Sequence, residues 1–139
     1  MSVKTFVDTN VLLYAHDRDA GSKCLRAQTI IQELWEMRNG ILSVQVLEEF
    51  YVNVTRKIPR PLPRKEARAL IAQYLVWEVV PINGVLILEA SEIEERSKLS
   101  FWDALILAAA KKGTASLLLS EDFQDGRKIE KLTIQNPFR

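Results

Sequence analysis

The sequence has 139 residues, 47% hydrophobic and 27% charged, proportions that exclude a disordered or fibrous chain and suit one ordinary domain. A chain of this length buries roughly two-thirds of its unfolded surface, so a core can form without disulfides or a structural metal. Nineteen Lys and Arg against eighteen Asp and Glu leave a net charge of +1, so only the local distribution of charge can speak for or against nucleic-acid binding.

Segment types alternate along the chain, the pattern of an α/β fold built on a mainly parallel sheet. Val3 to Val7 is a short apolar, β-branched run ending at Asp8 and reads as a first strand. Asn10 to Ala15 suits a helix, and Ser22 to Arg38 is a clearer amphipathic helix closed by Asn39-Gly40. Ile41 to Val44 is a second strand, followed by a helix over Gln45 to Lys57 with Val46, Leu47, Phe50, Tyr51 and Val54 at helical spacing. Pro59, Pro61 and Pro63 impose a rigid turn. A helix from Arg64 to near Leu75 and a strand over Glu78 to Ile82 come next. Asn83-Gly84 opens a helix running to Leu99, and Ser100 caps another over Phe101 to Lys112 that stops at Gly113. Ala115 to Ser120 is a buried strand and Leu132 to Gln135 the last, giving about five strands with helices on both faces of the sheet.

Cys24 is the single cysteine, which excludes an intrachain disulfide framework and a cysteine-rich zinc site and suits a reducing compartment. The N-terminal residues lack the features of a signal peptide. The longest apolar run, Ala104 to Ala110, is far short of the roughly 20 residues of a membrane helix. The expectation is a soluble, cytoplasmic protein, residues 1–139 forming a single domain with no membrane contact.

In an open parallel sheet ligands bind at the carboxyl ends of the strands, where Asp8 and Asp122 fall. Glu49, or its neighbour Glu48, lies on a helix beside an apolar stripe, and Asp103 sits in an unusually apolar setting before Ala104. Each acid also has a plain structural role open to it. Asp8 suits a helix cap, Asp103 a capping box with Ser100, Asp122 a turn, and Glu48 and Glu49 a solvated helix edge. If they converge, two carboxylates about 4 Å apart repel by on the order of 4 kcal/mol at an effective dielectric near 20. Raised pKa values or a bound cation would then be needed. Hard oxygen donors without a His or Cys cluster select Mg²⁺, or Mn²⁺, and an ion held there suits phosphodiester hydrolysis.

Four segments carry a resemblance: Val7 to Tyr14, Ser43 to Phe50, Phe101 to Ala104 and Leu119 to Phe123. In this order and spacing they resemble the PIN domain, in particular the VapC-type ribonuclease toxins of VapBC toxin–antitoxin pairs. The resemblance runs from about Lys4 to Phe138. It implies a PIN-like fold and a Mg²⁺-dependent endoribonuclease that leaves a 5′-phosphate and a 3′-hydroxyl. The acidic quartet it implies is Asp8, Glu49, Asp103 and Asp122, with Asp8 and Asp103 as direct metal ligands. It favours Glu49 over Glu48, while Glu121 and Asp125 stand close enough to Asp122 to compete for the fourth position. Thr9 or Ser120 would bring a hydroxyl to the metal or scissile phosphate, and Asn10 would brace the site. The partners implied are an RNA substrate, a cognate antitoxin whose Arg or Lys could occupy the acidic groove, and a second copy in a homodimer.

Arg56, Lys57, Arg60, Arg64, Lys65 and Arg68 cluster around the proline turn, either as a solvated face or as phosphate contacts. Trp35, Trp77 and Trp102 suit core or interface anchors better than base-stacking platforms. His16 suits a surface or capping role, and Cys24 a small buried hydrophobe. No Gly-rich phosphate loop occurs, which argues against ATP or NAD. Two other readings remain: a catalytically silent PIN-like module that binds RNA or protein, and a receiver-type signalling domain. The second wants adjacent acids after its first strand, where this chain has Asp8 followed by Thr9.

Overall fold

The structure is a computed structural model and describes residues 3–139. Its strands are β1 (Thr5–Val7), β2 (Gly40–Ser43), β3 (Glu78–Val80), β4 (Leu117–Leu119), β5 (Lys128–Ile129) and β6 (Leu132–Gln135). The helices are α1 (Thr9–Ala15), α2 (Ser22–Met37), α3 (Val44–Arg56), α4 (Arg64–Tyr74), α5 (Gly84–Ser97) and α6 (Phe101–Lys112), with a 3₁₀ turn over Arg18–Ala20. The sheet order is β3-β2-β1-β4-β6-β5, parallel throughout except for the antiparallel β5–β6 pair.

Local chemistry sets several helix starts. The side chains of Ser43, Asn83 and Ser100 each accept a hydrogen bond from the backbone N–H three residues on, fixing the first turns of α3, α5 and α6. β3 stops at Val80, two residues short of the expected Ile82, because Pro81 has no N–H to continue the ladder. Two further expectations need correction. The sheet has six strands rather than about five: β5 is two residues long, too short to show alternation, and turns into β6 through Glu130 at φ 56. The second concerns the end of α2, closed not by Asn39-Gly40 but by Arg38 in the left-handed conformation at φ 54. Gly40 instead begins β2, where the Trp77 ring packs over the space a Cβ would fill.

The connection order explains the architecture. From β1 the chain steps outward to β2 and β3, then crosses back to place β4 on the other side of β1. Right-handed crossovers therefore put α1 to α4 on one face and α5 and α6 on the other. The packing agrees: α1 contacts α2 and α3, α3 contacts α4, and α5 packs along α6. Phe6, Leu42, Phe50, Leu107, Leu118 and Ile134 are all fully buried within one continuous apolar cluster. The reversal of direction leaves a crevice beyond the carboxyl ends of β1 and β4, the position where such sheets bind ligands. No helix among the described residues is long and apolar enough to cross a membrane.

Candidate active site

The parallel pairing of β1 with β4 sets Val7 against Leu119, so Asp8 and Ser120 leave the two strands side by side. The Asp8 N–H donates to Leu119 O at 3.0 Å. Asp8 is 4% exposed. Its Oδ1 accepts from the Thr9 N–H at 2.7 Å, capping α1, and its Oδ2 accepts from the Ser120 hydroxyl at 2.7 Å. Burial pushes this carboxyl from 3.8 up to about 7. The bonds from Ser120 and Thr9 pull it down without offsetting burial, and the charges of Asp122 and Glu49 push it further up.

The other acids reach the same edge from separate elements. On α3, Val46 and Phe50 face the core, which leaves Glu48 exposed and Glu49 half-buried. Glu49 Oε1 accepts from the Thr9 hydroxyl at 2.7 Å. Asp103 stands half-buried in the first turn of α6, its N–H donating to Ser100 Oγ at 3.1 Å. Burial raises its pKa, the Ser100 hydroxyl pulls it down, and the charge of Asp122 raises it again.

Asp122 is exposed on the loop after β4 and accepts from Asn10 Nδ2 at 2.9 Å, while its N–H donates to Ser120 Oγ at 3.1 Å. Asn10 also accepts from the Glu121 N–H at 3.2 Å, so one side chain ties this loop to α1. The two competing acids are committed elsewhere. Glu121 pairs with Lys23 and accepts from the Tyr14 hydroxyl at 2.6 Å, and Asp125 accepts from the Asn136 N–H at 2.7 Å. Thr9 and Ser120 both direct their hydroxyl protons at carboxylates of the quartet.

Among the described residues no three His, Cys, Asp or Glu side chains are gathered closely enough to form a ready-made metal cage. Magnesium does not require one, because it keeps several waters and is held through one or two carboxylates. The donors here are oxygen throughout, and a cation would relieve the repulsion that Asp122 imposes on Asp8 and Asp103. The residues therefore fit a hard divalent ion.

All six members of the basic cluster are exposed. Arg60 is paired with Asp19 at 2.9 Å. Arg56 lies two turns beyond Glu49 on α3, about 10 Å along the helix axis. His16 is half-buried against Phe50 and hydrogen-bonded to the Tyr74 hydroxyl at 2.7 Å, and burial lowers its pKa. Cys24 is buried. Trp35 and Trp77 pack into an aromatic cluster with Tyr74, whereas Trp102, beside Asp103, is 63% exposed. Sequence reasoning passed over Gln45 and Lys23. The available signal for Gln45 was an amide in the first turn of a helix whose neighbours Val46 and Leu47 are apolar.

A family model described as PIN domain matches residues 5–129. A comparison with curated proteins finds no match. Among solved structures the chain is similar to the sarcin–ricin-loop-cleaving toxin VapC20 of Mycobacterium tuberculosis, with TM-score 0.64 and 24% identity over 85% of this chain and 89% of that one. It is also similar to a toxin–antitoxin complex from Klebsiella pneumoniae, with TM-score 0.69 and 17% identity over 96% and 97%. A third is VapBC2 from Rickettsia felis bound to a DNA fragment from their promoter, with TM-score 0.63 and 18% identity over 95% and 97%. At these identities the likeness is one of fold.

Proposed function

The chain belongs to the PIN domain family, and from that premise we propose that it is a Mg²⁺-dependent endoribonuclease and the toxin of a toxin–antitoxin pair. One observation carries this reading. Asp8 is buried at the crevice between β1 and β4 with its carboxyl pushed up to about 7, and Glu49 and Asp122 add to its load. A buried acid under that repulsion is costly to keep in a binding module and useful in a site that recruits a cation. The VapC and toxin–antitoxin structures that share the fold support the toxin assignment.

Asp8 and Asp103 are the residues that would hold the ion, with Asp122 across from them on the loop after β4. When bound, the ion offsets the clustered negative charge and polarises the scissile phosphoryl group toward attack by water. Ser120 and the Thr9 N–H orient the two oxygens of Asp8. The Thr9 hydroxyl holds Glu49 at the rim, where its carboxylate can orient the attacking water and take its proton. Asn10 keeps Asp122 and the loop in place. Attack by water rather than by the RNA 2′-hydroxyl leaves a 5′-phosphate and a 3′-hydroxyl. In the cytoplasm an antitoxin segment bearing Arg or Lys would silence the site by pairing with these carboxylates, and a homodimer would present two such sites.

The test is to incubate the purified protein with a 5′-labelled pool of structured RNA in Mg²⁺ or EDTA. Cleavage that requires Mg²⁺ and yields 5′-phosphate ends supports the assignment. No cleavage, together with no Mg²⁺ binding by calorimetry, overturns it in favour of a silent binding module. The exposed basic cluster is proposed to follow the RNA backbone. Replacing Arg56, Lys57, Arg64 and Lys65 together by alanine should weaken RNA binding and flatten its salt dependence, leaving Mg²⁺ affinity unchanged. An unaltered salt slope in a filter-binding titration would remove the cluster from the interface.

A further inference from the structure

Gln45 is a polar side chain buried where α3 leaves the sheet, 4% exposed. Its amide Nε2 donates to the main-chain oxygen of Trp102 at 3.2 Å and to Glu49 Oε2 at 3.5 Å. Both partners are acceptors, so the amide can face them only with its nitrogen. Its carbonyl Oε1 is thereby turned away, buried and without a partner among the described residues. A buried carbonyl left unpaired is destabilising, and an apolar side chain of the same length would avoid that penalty. Stability alone does not account for a glutamine here.

Its connections do. Trp102 immediately precedes Asp103 in the first turn of α6, and Glu49 is one turn beyond Gln45 on α3. The two helices lie on opposite faces of the sheet and bring their N-termini together at its carboxyl edge. Among the described residues the bond from Gln45 to Trp102 is the only hydrogen bond that joins them. A single neutral side chain with two N–H donors therefore links the Glu49 carboxylate to the backbone that carries Asp103. Glutamate would set a second carboxylate against Glu49 and a further acceptor against the Trp102 carbonyl, and methionine would have the length without the donors.

We infer that Gln45 is a positioning residue that fixes the separation of Glu49 and Asp103 across the carboxyl edge of the sheet. The inference rests on the nuclease reading above and adds to it a residue outside the acidic quartet. Two variants of the full chain test it, Gln45→Met and Gln45→Glu, with Val54→Ala as a control buried on the same helix away from the acids. Each protein is stripped with EDTA, its Tm measured, and Mg²⁺ titrated in by calorimetry; RNA cleavage is then followed at saturating Mg²⁺.

For Gln45→Met the expected result is a Tm at or above wild type, Mg²⁺ affinity weakened about 10-fold and kcat lowered about 10- to 100-fold, with KM changed by less than about threefold. Gln45→Glu should lose at least as much, and it carries the test if the methionine variant does not fold. Val54→Ala should lower Tm yet bind Mg²⁺ as wild type does. Wild-type Mg²⁺ affinity and kcat in Gln45→Met overturn the inference, as does a loss that merely tracks Tm and recurs in Val54→Ala. A wild-type protein that neither binds Mg²⁺ nor cuts RNA overturns the nuclease reading instead, so the two failures are distinguishable.

Discussion

Asp8→Asn is expected to reduce RNA cleavage at saturating Mg²⁺ by at least about 100-fold, roughly 2.7 kcal/mol of transition-state stabilisation, and Asp103→Asn by a similar factor. Loss of activity alone would not distinguish a catalytic role from a damaged fold. Asp8 offers a second readout of opposite sign. Its pKa rises from 3.8 to about 7 on folding, mainly because the carboxylate is buried. Between those two values the folded state binds the additional proton, so the stability of the EDTA-treated wild type falls as pH rises from about 4 to about 7. The displacement corresponds to at most about 4 kcal/mol.

Asparagine keeps the oxygen that accepts from the Thr9 N–H and presents to Ser120 an amide to which that hydroxyl can turn as acceptor. The variant should therefore match wild type near pH 4 and be the more stable protein at pH 8 in EDTA, while being the far poorer nuclease in Mg²⁺. Denaturant titrations at the two pH values decide the point. Identical pH dependence in both proteins would mean that Asp8 is not held protonated by burial, and near-normal cleavage by both Asp8→Asn and Asp103→Asn would remove these residues from the site.

Gly40→Ala should destabilise the fold by about 2 to 3 kcal/mol, a fall in Tm on the order of 10 °C for a chain of this size. A Cβ on Gly40 would lie within 2.6 Å of Trp77 Cε3 and 2.9 Å of Cη2. Retreat is blocked on two sides: the Trp77 ring packs edge-on against Trp35 at 5.4 Å and Tyr74 at 5.6 Å between centroids. Because the two residues share one contact, Gly40→Ala combined with Trp77→Leu should cost less than the sum of the single changes. Strict additivity in chemical denaturation would show that the ring yields freely. Gly40 begins β2 and Ser43 ends it, so the altered contact and the acids lie at opposite ends of the strand. Cleavage per folded molecule at low temperature should stay near wild type.

The residues for which two readings competed in the sequence show how far local chemistry reaches. Asp8 caps α1 and is also the buried acid of the candidate site, so the two roles coexist in one side chain. Asp103 pairs its N–H with the Ser100 cap while burial raises the pKa of its half-buried carboxyl above the usual carboxylate value. Glu48 and Glu49 flank the same apolar stripe, and only the packing of α3 against α1 turns Glu49 toward Thr9. Glu121, Asp122 and Asp125 are equivalent as a string of letters; Lys23, Asn10 and the Asn136 N–H assign each a different place.

What could be read along the chain is what depends on neighbours within about one helical turn: the Asn83 and Ser100 caps, the apolar periodicity and the alternation of strands with helices. Ser43, expected inside the second strand, ends it and caps α3, and the third strand, expected to reach Ile82, stops at Val80. Caps and breakers act through backbone groups a few residues away, so their energetics travel with the sequence itself. The two-residue β5, the left-handed Arg38 and the Gly40–Trp77 contact left no such trace, because each is settled by a partner distant in sequence or by too few residues to form a pattern. The candidate site belongs to the second kind. Asp8 and Ser120 are 112 residues apart and meet only because β4 crosses back to pair with β1 in one particular register. A carboxylate's surroundings, and with them its pKa and its worth as a ligand, are set by burial and by charges brought in from other elements, which only the folded arrangement of the sheet supplies.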